Sequence, residues 1–425
     1  MSHTKGRLSG LLALSPILVF LLVYLLSSVF LGDFYKVPVS GAFLLASAYA
    51  FLISPGTVDD RVTAFSFGAS DRNILLMVWI FLLAGAFAES AREIGAIDAT
   101  VNLTLKWAPV QLILPGLFLT ACFVSMAIGT SVGTIVAMVP LASGIAVQTG
   151  MNQGLMTALI VGGSFFGDNM SFISDTTIAA TRAVDCQMNE KFKANFIIVL
   201  PAVIFSTVLY TIIGWNTGAA PDVEQVEWLK LIPYISVIVM AICGMKVVVV
   251  LAVGIALNAV IGFWTGALDW ASWLSSLGNG MAGMGDLVIV TLLAGGMLGL
   301  ITENGGLKFI MDGFMRHVKR RRGAEFSIGL ITGAANLCTA NNTIAIITVG
   351  RIVKDISVKF NISPRRAASL MDISSCIVQG IIPYGAQLLM AASLTGLTAF
   401  DILPYLYYQY AIAACLVLSI AFKGK

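Results

Sequence analysis

Long apolar runs separated by short polar clusters set the pattern of this chain. A helix needs about 20 predominantly apolar residues to cross a bilayer. Ten stretches read as spanning helices: 10–31, 37–54, 74–90, 154–182, 195–215, 231–245, 247–266, 287–302, 366–392 and 404–422. Two more, about 109–148 and 324–357, are long but interrupted midway by GTSVGT (129–134) and TANNT (339–343). Each predicts either two thin spans or a re-entrant helical hairpin that enters and leaves on one side. The first run follows MSHTKGRLSG and extends to Leu31. That is about twice a signal-peptide core, and no small-residue cleavage site follows, so a spanning helix is predicted.

Composition agrees. Of 425 residues, 58% are hydrophobic and 11% charged, with a mean hydropathy of +0.92. A soluble domain carries about 25% charged residues, so the fold class is an all-α polytopic membrane protein. The net charge of +3 gives nucleic-acid binding no support. The six cysteines are scattered without CxxC or Cys/His spacing, which predicts neither disulfides nor a metal centre. His3 and His317 lie in basic segments. With a cytoplasmic N-terminus, ten crossings and both hairpins re-entrant, every lysine and arginine except Lys36, Arg92, Lys106 and Lys230 falls inside. This strong positive-inside bias orients the chain with both termini cytoplasmic. It leaves open whether the hairpins cross, because two crossings restore the side. The basic run Arg316–Arg322 reads as a headgroup anchor on the bilayer. Glu89, Glu93 and Glu303 read as interfacial.

The two halves match at a shift of 210 residues. Leu82-Leu83-Ala84-Gly85 falls on Leu292-Leu293-Ala294-Gly295, Glu93 on Glu303, 129–134 on 339–344, and 167–177 on 377–387. The predicted domains are a first repeat, 1–215, with a hairpin at about 109–148 and a broken helix at about 154–182, and a second, 216–425, with a hairpin at about 324–357 and a broken helix at about 366–392. Five crossings per half invert the second copy. Inverted repeats are a common plan of secondary transporters, whose sites sit where discontinuous helices meet.

The polar clusters carry the candidate chemistry. Within membrane depth, irregular backbone survives only where protein buries it or where it lines a wet cavity. Four breaks are therefore expected, two hairpin tips and two unwound segments, the last helped by Pro383. Free carbonyls and the negative dipole at half-helix ends favour cations, and carbonyls, hydroxyls and carboxylates together suit a hard cation. The candidates are Thr130, Ser131 and Thr134 at the first tip and Asp168, Asn169, Ser171, Ser174, Asp175, Thr176 and Thr177 in GDNMSFISDTT. The second half offers Asn341, Asn342, Thr343, Asp372, Ser374, Ser375 and Gln379. For Asp175 a cap on the second half-helix is the competing reading.

GGSFFGDNMSFISDTTIAATRAVDCQM (162–188), with KFKAN after it, and SPRRAASLMDISSCIVQGIIPYGAQLL (363–389) resemble the NhaC-type Na+/H+ antiporters of bacteria. The resemblance runs from about 74 to 392. It implies a member of the wider ion-transporter superfamily: ten transmembrane helices plus two re-entrant hairpins in inverted five-helix repeats, moving as an elevator in a bacterial inner membrane. It implies sodium and protons as ligands; on the residues themselves Asp168 or Asp175 is the carboxylate expected to bind sodium, and a homodimer is the expected assembly. Family relatives also carry organic acids or amino acids, so a sodium- or proton-coupled carrier of a small organic solute is the alternative. The second tip, Asn341-Asn342-Thr343, partly resembles the Ser-Asn-Thr signature of dicarboxylate members, and the first tip departs from it. Exchange is expected to follow from competition: a buried carboxyl favours its neutral form, a bound cation its ionised form. A channel is the rival from another class. No Ser/His/Asp, HExxH or nucleotide-binding pattern suggests an enzyme, and no cofactor is implied.

Overall fold

The computed structural model describes residues 10–31, 38–215, 226–306, 308–309 and 320–423. His3, most of the acidic segment 221–228, the basic residues Arg316 to Lys319 and the last two residues lie outside the described residues. Among the described residues all regular structure is helical. The helices are α1 (Gly10–Leu31), α2 (Val39–Ile53), α3 (Val58–Ala69), α4 (Arg72–Glu93), α5 (Ala96–Trp107), α6 (Val110–Ile128), α7 (Ser131–Thr149), α8 (Gln153–Met170), α9 (Asp175–Ala183) and α10 (Met188–Trp215). There follow α11 (Ile232–Ile242), α12 (Val247–Thr265), α13 (Trp270–Gly283), α14 (Gly285–Glu303), α15 (Arg321–Thr339), α16 (Asn342–Lys359), α17 (Pro364–Ile381), α18 (Ala386–Thr395), α19 (Ala399–Ile402) and α20 (Tyr407–Lys423).

Seven helical segments are long and apolar enough to cross a membrane, or eight if the pair bent by 53° around Leu406 is one span. Three shorter apolar helices add to these. The chain is a polytopic membrane protein. Its outer helices turn large apolar side chains outward, such as Ile204, Phe205, Val208 and Ile212 of α10, which suits contact with lipid. By contrast α7, α8 and α17 are buried on nearly all sides, the pattern of central helices.

Three helices were not legible as spans. α3 begins with a capping box between Thr57 and Asp60 and buries no residue. α13 begins with another, between Asp269 and Ser272. α5 is amphipathic and buries Ile97, Val101 and Leu105 on one face. Each has 14 residues or fewer, too short to cross a bilayer at 1.5 Å per residue. α3 packs on α14, and α13 packs on α4. Both crossings are made at glycines. A Cβ on Gly85 would strike the carbonyl of Gly280, and one on Gly68 the carbonyl of Gly295. Small residues let membrane helices approach this closely.

Helices are interrupted at or beside each of the four polar or proline-containing segments. α6 ends at Gly129, whose φ of 75° places it in the left-handed region where glycine has no Cβ penalty. α7 restarts after Thr130. In the second hairpin Ala340 takes the left-handed position (φ 47°), and the Asn341 side chain caps α16 by accepting from the Ile344 N–H. α8 and α9 are parted by 171–174, and α17 and α18 by 382–385 around Pro383. The first tip is tighter than the sequence suggests. Only Gly129 and Thr130 are non-helical, because the backbone reverses in two residues and Ser131 already opens α7.

Candidate functional site

The four breaks converge on Asp168. It lies in the last turn of α8, 4% exposed. The Ser131 N–H donates to its Oδ1 at 3.2 Å and the Ser131 hydroxyl to its Oδ2 at 2.7 Å. The Asn342 amide, from the opposite tip, donates to Oδ2 at 3.4 Å. The Gln387 amide, in the first turn of α18, donates to Ser131 Oγ at 2.9 Å and accepts from Gln379 at 2.8 Å. Gln379 also donates to the Ala340 carbonyl at the second tip, at 3.0 Å. One carboxylate thus joins tip to tip and break to break. Helix geometry supplies the donors: Ser131 and Asn342 each open a helix whose first amides lack intrahelical partners, and that positive end favours an anion.

A cavity of about 100 Å³ adjoins this network. Gly129, Thr130, Ser131, Asp168, Ser174, Asp175, Thr176, Asn341, Asn342, Thr343 and Gln387 line one side, and Asn73, Leu76, Met77 and Ile80 of α4 the other. Among the described residues, no lysine or arginine lines the cavity. Its acids are Asp168 and Asp175, and the two differ. Asp175 is exposed, in the first turn of α9, where the helix dipole favours a negative charge without a buried partner. Of the two carboxylates offered by the sequence, the position of Asp175 in the first turn of α9 fits the competing reading of a helix-end residue. Asp168 is enclosed, and Asp175 stands at the rim.

The other candidates divide in two. Thr176 and Thr177 donate to the Asp168 carbonyl at 2.8 and 3.3 Å, and Ser174 bonds Thr176 at 2.9 Å. Thr130 and Thr343 are half-buried on the cavity wall. Thr134, Asn169, Ser171 and Ser375 lie off the cavity wall. Thr134 sits inside α7 and bonds the Thr130 carbonyl. Ser171 caps α8. Asn169 donates to the Phe165 carbonyl. Ser375 donates to the Asp372 carbonyl. Ser374 is buried and not among the cavity residues.

Asp372 forms a second centre. It is fully buried, and its Oδ2 receives the Lys191 ammonium at 2.8 Å and the Asn195 amide at 2.8 Å. The Lys191 ammonium also donates to the Asn169 carbonyl at 2.8 Å and to Thr177 Oγ1 at 2.6 Å. The Asn195 amide donates to that same carbonyl. Sequence reasoning missed Lys191, Asn195 and Gln387, and placed Lys191 in a cytoplasmic loop. α10 in fact starts at Met188, and Lys191 is 1% exposed. A signal was present: Lys191, Asn195, Ile198, Val199 and Ala202 share one helical face, the spacing of a buried stripe.

A model of the Na+/H+ antiporter family matches residues 14–215 and 226–423. The chain is 24% identical over 379 residues to the malate-2H(+)/Na(+)-lactate antiporter of Bacillus subtilis, covering 78% of this chain and 80% of that one. It is 22% identical over 390 residues to the Na(+)/H(+) antiporter NhaC of the same organism, covering 83% and 84%. To an uncharacterized Na(+)/H(+) antiporter of Haemophilus influenzae it is 26% identical over 375 residues, covering 78% of each. The family match spans both hairpins, both breaks and the carboxylate between them, and the chain belongs to the Na+/H+ antiporter family.

Proposed function

We propose that this protein exchanges sodium for protons at Asp168. The observation that carries the reading is one enclosed carboxylate bonded to both hairpin tips beside a small cavity. The ionised carboxylate, with Ser131, Thr176 and tip oxygens at hand, offers a hard cation the oxygen donors it prefers. A proton satisfies the same carboxyl without the cation. Sodium and proton then exclude each other, and exchange follows if only the loaded forms cross.

The fold supports an elevator of two inverted repeats, 1–215 and 216–425. Helix starts recur 211 residues apart: Val110 with Arg321, Ser131 with Asn342, Gln153 with Pro364, Asp175 with Ala386. Packing recurs with the halves swapped, α12 and α13 on α4, and α2 and α3 on α14. On this reading α1, α2, α4, α8–α9 and α10 with their counterparts make ten spans, the hairpins are re-entrant, and α4 belongs to the fixed scaffold facing the mobile site. The positive-inside bias supports cytoplasmic termini, and on this reading the membrane is a bacterial inner membrane. An organic-acid exchange, as in the name of the Bacillus subtilis malate/lactate relative, is the second reading. The absence of a cation among the described cavity residues favours inorganic exchange over it.

Proteoliposomes with an imposed sodium gradient and an internal pH dye test the reading. Sodium-driven proton flux is expected without organic solute, lost in Asp168→Asn and largely kept in Asp175→Asn. Flux that starts only when malate or lactate is added overturns it.

A further inference from the structure

The oxygens around Lys191 form a set that a metal cation would also choose. A carboxylate (Asp372 Oδ2), a main-chain carbonyl (Asn169) and a hydroxyl (Thr177) surround the ammonium at 2.6–2.8 Å. The carbonyl belongs to the C-terminal end of α8, where the helix dipole is negative. Asp372 Oδ1 is buried and meets no donor at full hydrogen-bond geometry among the described residues; the Thr176 hydroxyl beside the carboxylate donates to the Asp168 carbonyl instead, so the carboxylate keeps a lone-pair direction for a further ligand. These three oxygens satisfy the three N–H donors of the ammonium, and burying an ion pair is repaid only when the remaining polar groups are satisfied as well. Here one oxygen is left over.

The second half shows the same economy of charge. At an offset of 211 residues, Gln379 stands where the first half has Asp168, and it bonds its own tip at Ala340 through a neutral amide. The core formed by the four breaks therefore holds two buried carboxylates, Asp168 and Asp372, one of which is already matched by a cation fixed to the chain.

We propose that the Asp372–Asn169–Thr177 cluster is a second cation site, filled by the ammonium of Lys191, so that the protein binds one free sodium ion, at Asp168. This rests on the sodium-exchange reading above. Lys191 acts as a tethered cation that ties α10 to the first break and to α17 throughout the cycle. Removal of its side chain converts the cluster into a site for a second sodium ion.

Equilibrium binding of radiolabelled sodium to the full-length protein in detergent, with choline as the balancing salt, tests this. The unaltered protein is expected to bind about one equivalent, Asp168→Asn none, and Lys191→Ala about two. Asp168→Asn/Lys191→Ala should regain about one, and adding Asp372→Asn should remove it. Lys191→Arg keeps the tethered charge and should stay at one. The proposal is overturned if Asp168→Asn retains an equivalent, or if Lys191→Ala stays at one. Recovery of Lys191→Ala from sodium but not choline medium supports it, and recovery from neither counts against it, since a cage that accepts the free ion stabilises the variant. If the unaltered protein binds no sodium, the exchange reading itself fails, so the two failures are distinct.

Discussion

At the scale of residues, burial separates aspartates that look alike in sequence. Asp168 and Asp175 sit seven positions apart in one polar cluster, yet one is enclosed by both tips and the other faces outward. The difference predicts opposite outcomes for the two Asn variants in the flux assay. Gln387 supplies a third test. Its amide holds the Ser131 hydroxyl that in turn holds Asp168. Gln387→Ala removes a buried hydrogen bond and leaves Ser131 and Gln379 short of a partner, a loss of about 1–2 kcal/mol. The apparent sodium affinity should fall about 10-fold while maximal flux changes less, read from flux against sodium concentration. An unchanged affinity removes Gln387 from the site.

At the scale of elements, the hairpins and broken helices follow from local chemistry. Gly129 and Pro383 stop helices for opposite reasons, one by reaching positive φ without strain and one by lacking an N–H. The crossings of α4 on α13 and α3 on α14 depend on backbone contact at glycine. Gly85→Val forces the helices apart, and overpacking of this kind costs about 1–3 kcal/mol. A lower Tm in detergent is the expected result, with Gly278→Ala, where a Cβ meets nothing, as the neutral control. The cap of α13 is sensitive to pH. The Ser272 N–H, and after it the Ser272 hydroxyl, holds the exposed Asp269 carboxyl below its ordinary range. A lowered value means that the cap contributes fully above the ordinary carboxylate range and fades as pH falls through the lowered value. The protection factors of the first-turn amides of α13, that is, exchange corrected for the intrinsic rate at each pH, should fall over that acidic window and stay low and constant in Asp269→Ala.

At the scale of the whole molecule, the cavity lies between α4 and the two tips. An elevator requires these walls to slide past each other. In a cysteine-free background, Met77→Cys paired with Thr343→Cys places one thiol on each wall. Oxidation should stop sodium-driven flux, and a reductant should restore it. Full flux in the cross-linked protein excludes relative motion of the two walls.

The sequence by itself determined the solvent, the class and the location of the breaks. Apolar run length and the scarcity of charge place the chain in a bilayer, and in that medium a cluster such as GDNMSFISD must be buried in protein or line a cavity. Asp168 and the tips were legible for that reason. The two spacings differ by one residue: polar landmarks in the sequence align at 210, while the helix starts Val110 and Arg321, Ser131 and Asn342, Gln153 and Pro364, and Asp175 and Ala386 align at 211. Apolar stretches match by chance and blur the register. What only the tertiary structure decided is which polar groups meet. Lys191 and Asp372 lie in different halves and come together because α10 packs on α17, and Gln387 reaches Ser131 across 256 positions. Periodicity reports which side of a helix is buried. The partner that makes a buried charge tolerable is set by helix packing, which no local pattern encodes.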